Sequence, residues 1–486
     1  MKKQVLLIIT IIGFLSVQIL AQNLKPGFDK NEYIELLKLT AKHTNPEYFK
    51  NIPNPDKFKL VYRSPIMGLD NAWELWKSTD NMAAISIRGT TENTVSWLAN
   101  FYAAMVPAKG ELKISANETF KYELAQNPNA AVHAGWLVAT AFLSKNMLPK
   151  IDSCYKAGIK EVFIVGHSQG GAIAFLMTAY LYDLQKQNLL PADIRFKTYC
   201  SAGPKPGNLF FAYAYEAMTQ YGWSYNVVNA HDWVPEVPLS VQTTDDFSEV
   251  NPFRLAKGMI QKQKFPKNLA LKHVYNKLDK PSRKAQKNYQ KYLGDLMSKS
   301  VKKNIKDFEP PQYFQSNHYV RTGNTIVLMG DEAYFTLYPL EKEKLFQHHL
   351  PPAYLYLAGK LPETQPTPMS VAPDLKLNGT WELNYILGRK IAFEGLYPDK
   401  KPIITFDVSN KKISGNTGCN NFNGKLNVVG NKISFAEPMA MTRMICQGEG
   451  EKAFLEVLKS VDSYSVDENT LTFIMGDIAT MRFVKK

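Results

Sequence analysis

Cysteine is scarce. Four residues in a chain of 486 cannot staple a disulfide scaffold, so a packed core must hold the fold, and an apolar content of 45% is enough for one. Histidine is scarce too, at eight residues, so each can be weighed individually as a base. Beyond the first twenty residues no apolar run is long enough to span a bilayer as a helix, which excludes a bundle of membrane-spanning helices. Acidic residues are nearly missing from one stretch. Between Arg254 and Glu309, sixteen Lys/Arg meet only Asp279, Asp295, Asp307 and Glu309, so this segment carries about +12 of the net +14. No nucleic-acid-binding motif accompanies that charge, and no nucleic-acid partner is expected. A basic segment at 254–310 would attract an anionic membrane or lipid surface; the alternative is a solvated helical face.

The N-terminus has the layout of an export signal. Lys2 and Lys3 precede an apolar stretch, Val5 to Leu15, and Ile19-Leu20-Ala21 offers a cleavage site. The expectation is a signal peptide over 1–21 and a periplasmic, cell-envelope or extracellular protein. Residues 361–374, rich in proline, threonine and polar side chains, read as a linker. It would join a domain over 22–360 to a second domain over 375–486.

In the first domain short apolar runs alternate with helical periodicity. Met82–Ile87, Val162–Val165, Phe196–Cys200, Tyr225–Asn229 and Asn324–Met329 read as strands. Helices are expected at Asn31–His43, Leu137–Ala157, Gly170–Gln187 and Asn208–Met218. This α/β pattern predicts a mostly parallel sheet with helices on both faces. From Leu375 the pattern changes to short β-type runs split by Gly/Asn turns, with one helix near Glu451–Val461. That predicts a smaller β-rich α+β domain.

The chain is organised around Gly166-His167-Ser168-Gln169-Gly170. This G-x-S-x-G follows an apolar strand and opens a helix that begins with small residues, the layout of a nucleophile elbow. Glycines are needed there because the serine is held in a strained turn against a crossing strand and helix. A serine hydroxyl is a weak nucleophile unless a base takes its proton and a carboxylate orients that base. Asp232 follows the Tyr225–Asn229 strand, at the sheet end where such sites gather. Of the histidines after it, His348 and His349 come after the last strand, where the base is expected. The oxyanion would take the backbone amide of Gln169 and that of Thr90, after the strand ending at Ile87, with the Thr90 hydroxyl as a third donor.

Five blocks in order resemble the class 3 lipases, the family of the fungal triacylglycerol lipases. They are Ile85-Ser-Ile-Arg-Gly-Thr90, Val132-His-Ala-Gly-Trp136, Gly166-His-Ser-Gln-Gly-Gly171, Gly203-Pro to Gly207-Asn208, and Asp232 to Pro238. The resemblance covers 82–238 and 322–355. It implies an α/β-hydrolase fold, Ser168 as nucleophile, Asp232 as its orienter and Thr90 in the oxyanion site. The family's histidine is followed five residues on by an aromatic, which fits His349 with Tyr354 and not His348. A lipid ester substrate is the implied partner. Phospholipase or acyltransferase activity, and a non-catalytic envelope protein on the same scaffold, are the alternatives. The segment Thr91–Lys109, where the family's lid lies, is not strongly amphipathic.

The C-terminal domain resembles a META domain through Gly415-Asn-Thr-Gly-Cys-Asn-Asn-Phe-Asn-Gly424 and Ala440-Met-Thr-Arg-Met-Ile-Cys446. Cys419 and Cys446 fall in these two blocks and are candidates for a disulfide in an oxidising compartment. Two cysteines fall short of a metal ligand set, so no metal or other cofactor is expected.

Overall fold

The computed structural model describes residues 23–44, 49–362, 375–387, 393–429, 431–435, 439–446, 448–475 and 478–486. The expected signal peptide and nearly all of the expected linker lie outside them. The chain forms two compact units, Met1–Glu363 and Thr364–Lys486.

The first unit is built on a seven-stranded sheet. Its strands are β1 (Phe58–Arg63), β2 (Trp73–Ser78), β3 (Ala83–Ile87), β4 (Glu161–His167), β5 (Arg195–Ser201), β6 (Ser224–Asn229) and β7 (Asn324–Leu328). They lie side by side in chain order. β1 to β3 pair antiparallel, and β3 to β7 pair parallel. Parallel neighbours need crossovers, and the helices supply them. The helices used below are α1 (Lys30–Thr44), α2 (Thr94–Phe101), α3 (Ala134–Lys156), α4 (Gln169–Lys186), α5 (Leu209–Met218), α6 (Pro252–Gln261), α7 (Lys267–Gln290), α8 (Met297–Asn304), α9 (Glu332–Leu337) and α10 (Pro351–Lys360).

Alternation along the strands divides the core between the sheet's two faces. Ala84, Phe163, Val165, Tyr199 and Val227 pack with Tyr33, Leu36 and Leu37 of α1 and with Tyr354 and Leu357 of α10. Ile85, Ile87, Val162, Ile164 and Cys200 pack with residues of α3, α4 and α5. Strands buried on both faces read as unbroken apolar runs, which is why β3 and β4 stood out in the sequence.

Local structure departs from the sequence reading in three places. A β-hairpin, Lys109–Ser115 paired with Glu118–Glu123, forms where the sequence suggests no element. The basic segment, whose sequence reads as separate helical patches near 269–275 and 286–297, forms one helical run from Lys267 to Asn304. α7 continues through Pro281, whose ring removes one backbone donor, and the Ser282 hydroxyl donates to the carbonyls of Leu278 and Asp279 beside it. The basic segment is also not wholly peripheral, because Val301, Ile305 and Phe308 join the main core.

The second unit carries an antiparallel ten-stranded sheet among the described residues, with one longer helix, Gly450–Lys459. Its strands at Lys412–Asn416 and Asn421–Lys425 are rich in glycine and asparagine. Those residues have low strand propensity, so the sequence marks this stretch as turns. A disulfide joins Cys419 to Cys446. Asn420 is buried between the two cysteines' loops and donates to Glu451 and the Met444 carbonyl.

Candidate active site

β4 ends in a sharp turn into α4. Ser168 sits at its apex with φ 62° and ψ −131°, a left-handed conformation that side-chain-bearing residues rarely adopt. The flanking glycines are sterically required. A Cβ on Gly166 would lie 2.1 Å from the Gly170 oxygen, and one on Gly170 would lie 2.2 Å from the Ile87 oxygen. The elbow is therefore wedged against the end of β3, which brings the loop carrying Thr90 beside it.

Asp232 lies three residues beyond β6 and is buried. Its Oδ1 accepts from the Val234 amide at 2.9 Å. Its Oδ2 accepts from the Tyr354 hydroxyl at 2.7 Å and lies 2.8 Å from His349 Nδ1. Burial first, then the Asp232 charge, holds the Tyr354 phenol well above its ordinary value, so it remains a proton donor. The Asn229 amide donates to the same phenolic oxygen. Three partners thus fix the carboxylate, and the carboxylate fixes the imidazole through Nδ1. The His349 carbonyl accepts from His167 Nε2 at 2.7 Å, which holds its backbone to the elbow. His348 points elsewhere: its Nδ1 lies 2.6 Å from the Tyr334 hydroxyl. His231 stacks among Tyr334, Phe335 and His348.

Ser168, Gln169, Thr90 and His349 line one cleft of about 960 Å³. Its walls include Trp97, Phe101, Trp136, Val237, Leu239 and Phe346. Among the described residues no hydrogen bond joins the side chains of Ser168 and His349, as is common before a substrate engages. The expected lid segment begins with α2, whose Trp97 and Phe101 stack at 6.1 Å and face the cleft.

The Thr90 hydroxyl is not a free third donor, contrary to the sequence expectation. It donates to Gln169 Oε1 at 3.0 Å and accepts from Asn100 Nδ2 at 2.9 Å. Asn100 Oδ1 in turn accepts from the Trp136 indole. Asp70 pins the same loop from behind, accepting from Thr91 Oγ1 and Asn93 Nδ2 and pairing with Arg88 at 3.1 Å. Sequence reasoning missed Asp70 and Asn100, because neither sits in a motif and their partners are fixed by tertiary packing.

Two further histidines, His133 and His43, are buried. Burial lowers His133 to about 3. Burial, with the Arg88 and Arg63 charges, lowers His43 to about 3. The unfolded chain takes up these protons first, so stability falls as pH drops from 6.5 towards 3. Each histidine is expected to cost about 1.4 kcal/mol per pH unit in that window. Urea midpoints measured from neutral pH down to about 5 should show the fall, and His133→Gln should reduce its slope.

Residues 84–242 match the family model described as lipase (class 3), and residues 373–486 match the META domain model. Among curated proteins the chain is similar to the secreted mono- and diacylglycerol lipase 1 of Fusarium solani, 27% identical over 192 residues, which is 39% of this chain and 50% of that protein. The chain thus spans about half the length of the curated relative it matches. Among solved structures it is similar to the Rhizomucor miehei lipase in a propeptide complex, at 20% identity, covering 44% of this chain and 65% of that one, with a TM-score of 0.32. The lipase from Rhizopus microsporus var. chinensis is similar at 20% identity, 44% and 71% coverage, and a TM-score of 0.31.

Proposed function

We propose that the protein is an exported serine carboxylic ester hydrolase acting on acylglycerols or related lipid esters. The observation that carries this reading is a buried carboxylate, anchored by the Val234 amide and the Tyr354 hydroxyl and bonded to an imidazole, in the cleft that also holds a serine at a positive-φ elbow. In this mechanism His349 takes the Ser168 proton through Nε2, and Asp232 stabilises the imidazolium that forms. Ser168 Oγ attacks the acyl carbonyl, and the amides of Gln169 and Thr90 hold the oxyanion. His349 then returns the proton to the leaving alcohol. Water, deprotonated by the same ring, cleaves the acyl-enzyme and releases the acid.

The apolar cleft suits an acyl chain, and the match to a lipase family supports lipid esters as the substrate class. Export is supported by the N-terminal sequence pattern, by the Cys419–Cys446 disulfide and by the secreted relative. The test is turnover of p-nitrophenyl esters from acetate to palmitate, with and without an added alcohol acceptor. Hydrolysis along that series is expected. No turnover of any ester would contradict the reading, and transfer to the alcohol in place of water would make the protein an acyltransferase.

A further inference from the structure

The long helix of the basic segment is inverted relative to an ordinary surface helix. Such helices bury an apolar stripe and expose polar residues. At about 100° per residue, Leu271, Val274, Leu278 and Tyr289 of α7 fall within one stripe about 60° wide. Leu271, Val274 and Leu278 are 38%, 57% and 73% exposed, whereas Tyr289, at the stripe's far end, is half-buried against Met105, Ala131 and Tyr319.

Apart from Tyr289, the side of α7 turned to the protein is polar. Arg283 pairs with Asp279 at 2.8 Å and donates to Thr244 at 2.8 Å, Gln290 donates to the Phe314 carbonyl at 2.7 Å, and Asp279 and Gln286 are buried. The remaining face carries Lys277, Lys280, Lys284 and Lys287, and Lys272 stands in the helix's second turn at the angle of Gln290; all five are exposed and without an ion pair among the described residues. α6, tethered through Lys257 to Asp279 at 3.6 Å, adds Leu255 and Met259, 65% and 54% exposed.

From these observations we propose that α6 and α7 form a docking surface for an anionic phospholipid surface, the apolar stripe entering the acyl boundary and the lysines meeting the headgroups. Apolar residues on one face and lysines on another are the pattern of helices lying in a membrane interface. The excess of cations makes the surface complementary to anionic lipid. The stripe also leads to the cleft. Tyr289, at its end, and Leu293, in the π-helical turn Lys291–Leu296, both line that cleft. The turn is fixed there, since the Leu293 carbonyl accepts from the Ala104 amide at 3.1 Å. A lipid surface on α7 would therefore meet the cleft beside it. That purpose rests on the ester-hydrolase reading, whereas the binding does not.

The test is co-sedimentation of the full chain with phosphatidylcholine vesicles, with and without phosphatidylglycerol, over a salt series. Turnover of a short, water-soluble ester is measured in the same samples. The unsubstituted protein is expected to bind the phosphatidylglycerol vesicles in a salt-sensitive way. A Lys272→Glu, Lys277→Glu, Lys280→Glu variant should bind them more than roughly tenfold more weakly. A Val274→Asp, Leu278→Asp variant should lose binding at any salt concentration. Both should retain their circular dichroism and soluble-ester turnover. Failure of turnover with vesicle binding intact would remove the enzymatic reading and leave the docking surface standing. Equal binding to both vesicle types, no binding to either, or binding unchanged in both variants would overturn the proposal. So would a dimer that Val274→Asp, Leu278→Asp dissociates while vesicle binding persists, which would assign the stripe to a second copy of the chain.

Discussion

Ser168→Ala is expected to remove ester turnover while leaving the fold intact. Alanine lacks the oxygen that would carry the acyl group, and the residual rate rests on the oxyanion donors and binding alone. The expected fall in kcat is at least about a thousandfold. Ser168 is half-buried, and its hydroxyl makes no hydrogen bond among the described residues, so the deletion removes no internal contact of the elbow. The left-handed backbone there is set by the crossing strand and helix and not by the serine side chain. The thermal midpoint should therefore move little, and a large fall in it would mean that the hydroxyl supports the fold.

The second large effect is expected for Asp232→Asn. The substitution keeps the volume and one carbonyl acceptor, but a neutral amide no longer stabilises the imidazolium and favours the wrong tautomer of His349. A fall in kcat of about ten-thousandfold follows. Because the carboxylate also receives the Tyr354 hydroxyl and the Val234 amide, some loss of stability is expected as well. Tyr354→Phe separates the two effects. It removes one anchor of Asp232 but leaves its charge, so it should lower kcat far less than Asp232→Asn. Equal losses would place the effect in packing around α10, and not in the charge beside His349.

Much of this site was legible before any coordinates. The G-x-S-x-G turn between an apolar run and a small-residue helix forces its own geometry, because only glycine fits at 166 and 170. The buried strands read as continuous apolar runs because both their faces are covered. His349 could be preferred over His348 only through a family spacing. The physical reason, a Tyr354 hydroxyl reaching the same carboxylate oxygen, depends on how α10 packs on the sheet. The Thr90–Gln169–Asn100 network and the Asp70 anchor left no sequence signal. They join residues 10 to 79 positions apart through ordinary side chains that occur everywhere in proteins. The inversion of α7 was half visible. Its charge could be counted, but which side met the protein depended on Arg283 finding Asp245 and Thr244.

The central claim is that Ser168 is an activated nucleophile. The most direct measurement is intact-mass and peptide mapping after exposure to a fluorophosphonate. One covalent adduct is expected, on the peptide containing Ser168, formed rapidly in the folded protein, abolished in Ser168→Ala and slowed severely in Asp232→Asn. A folded protein that stays unlabelled, or that carries its adduct on another residue, would contradict the claim.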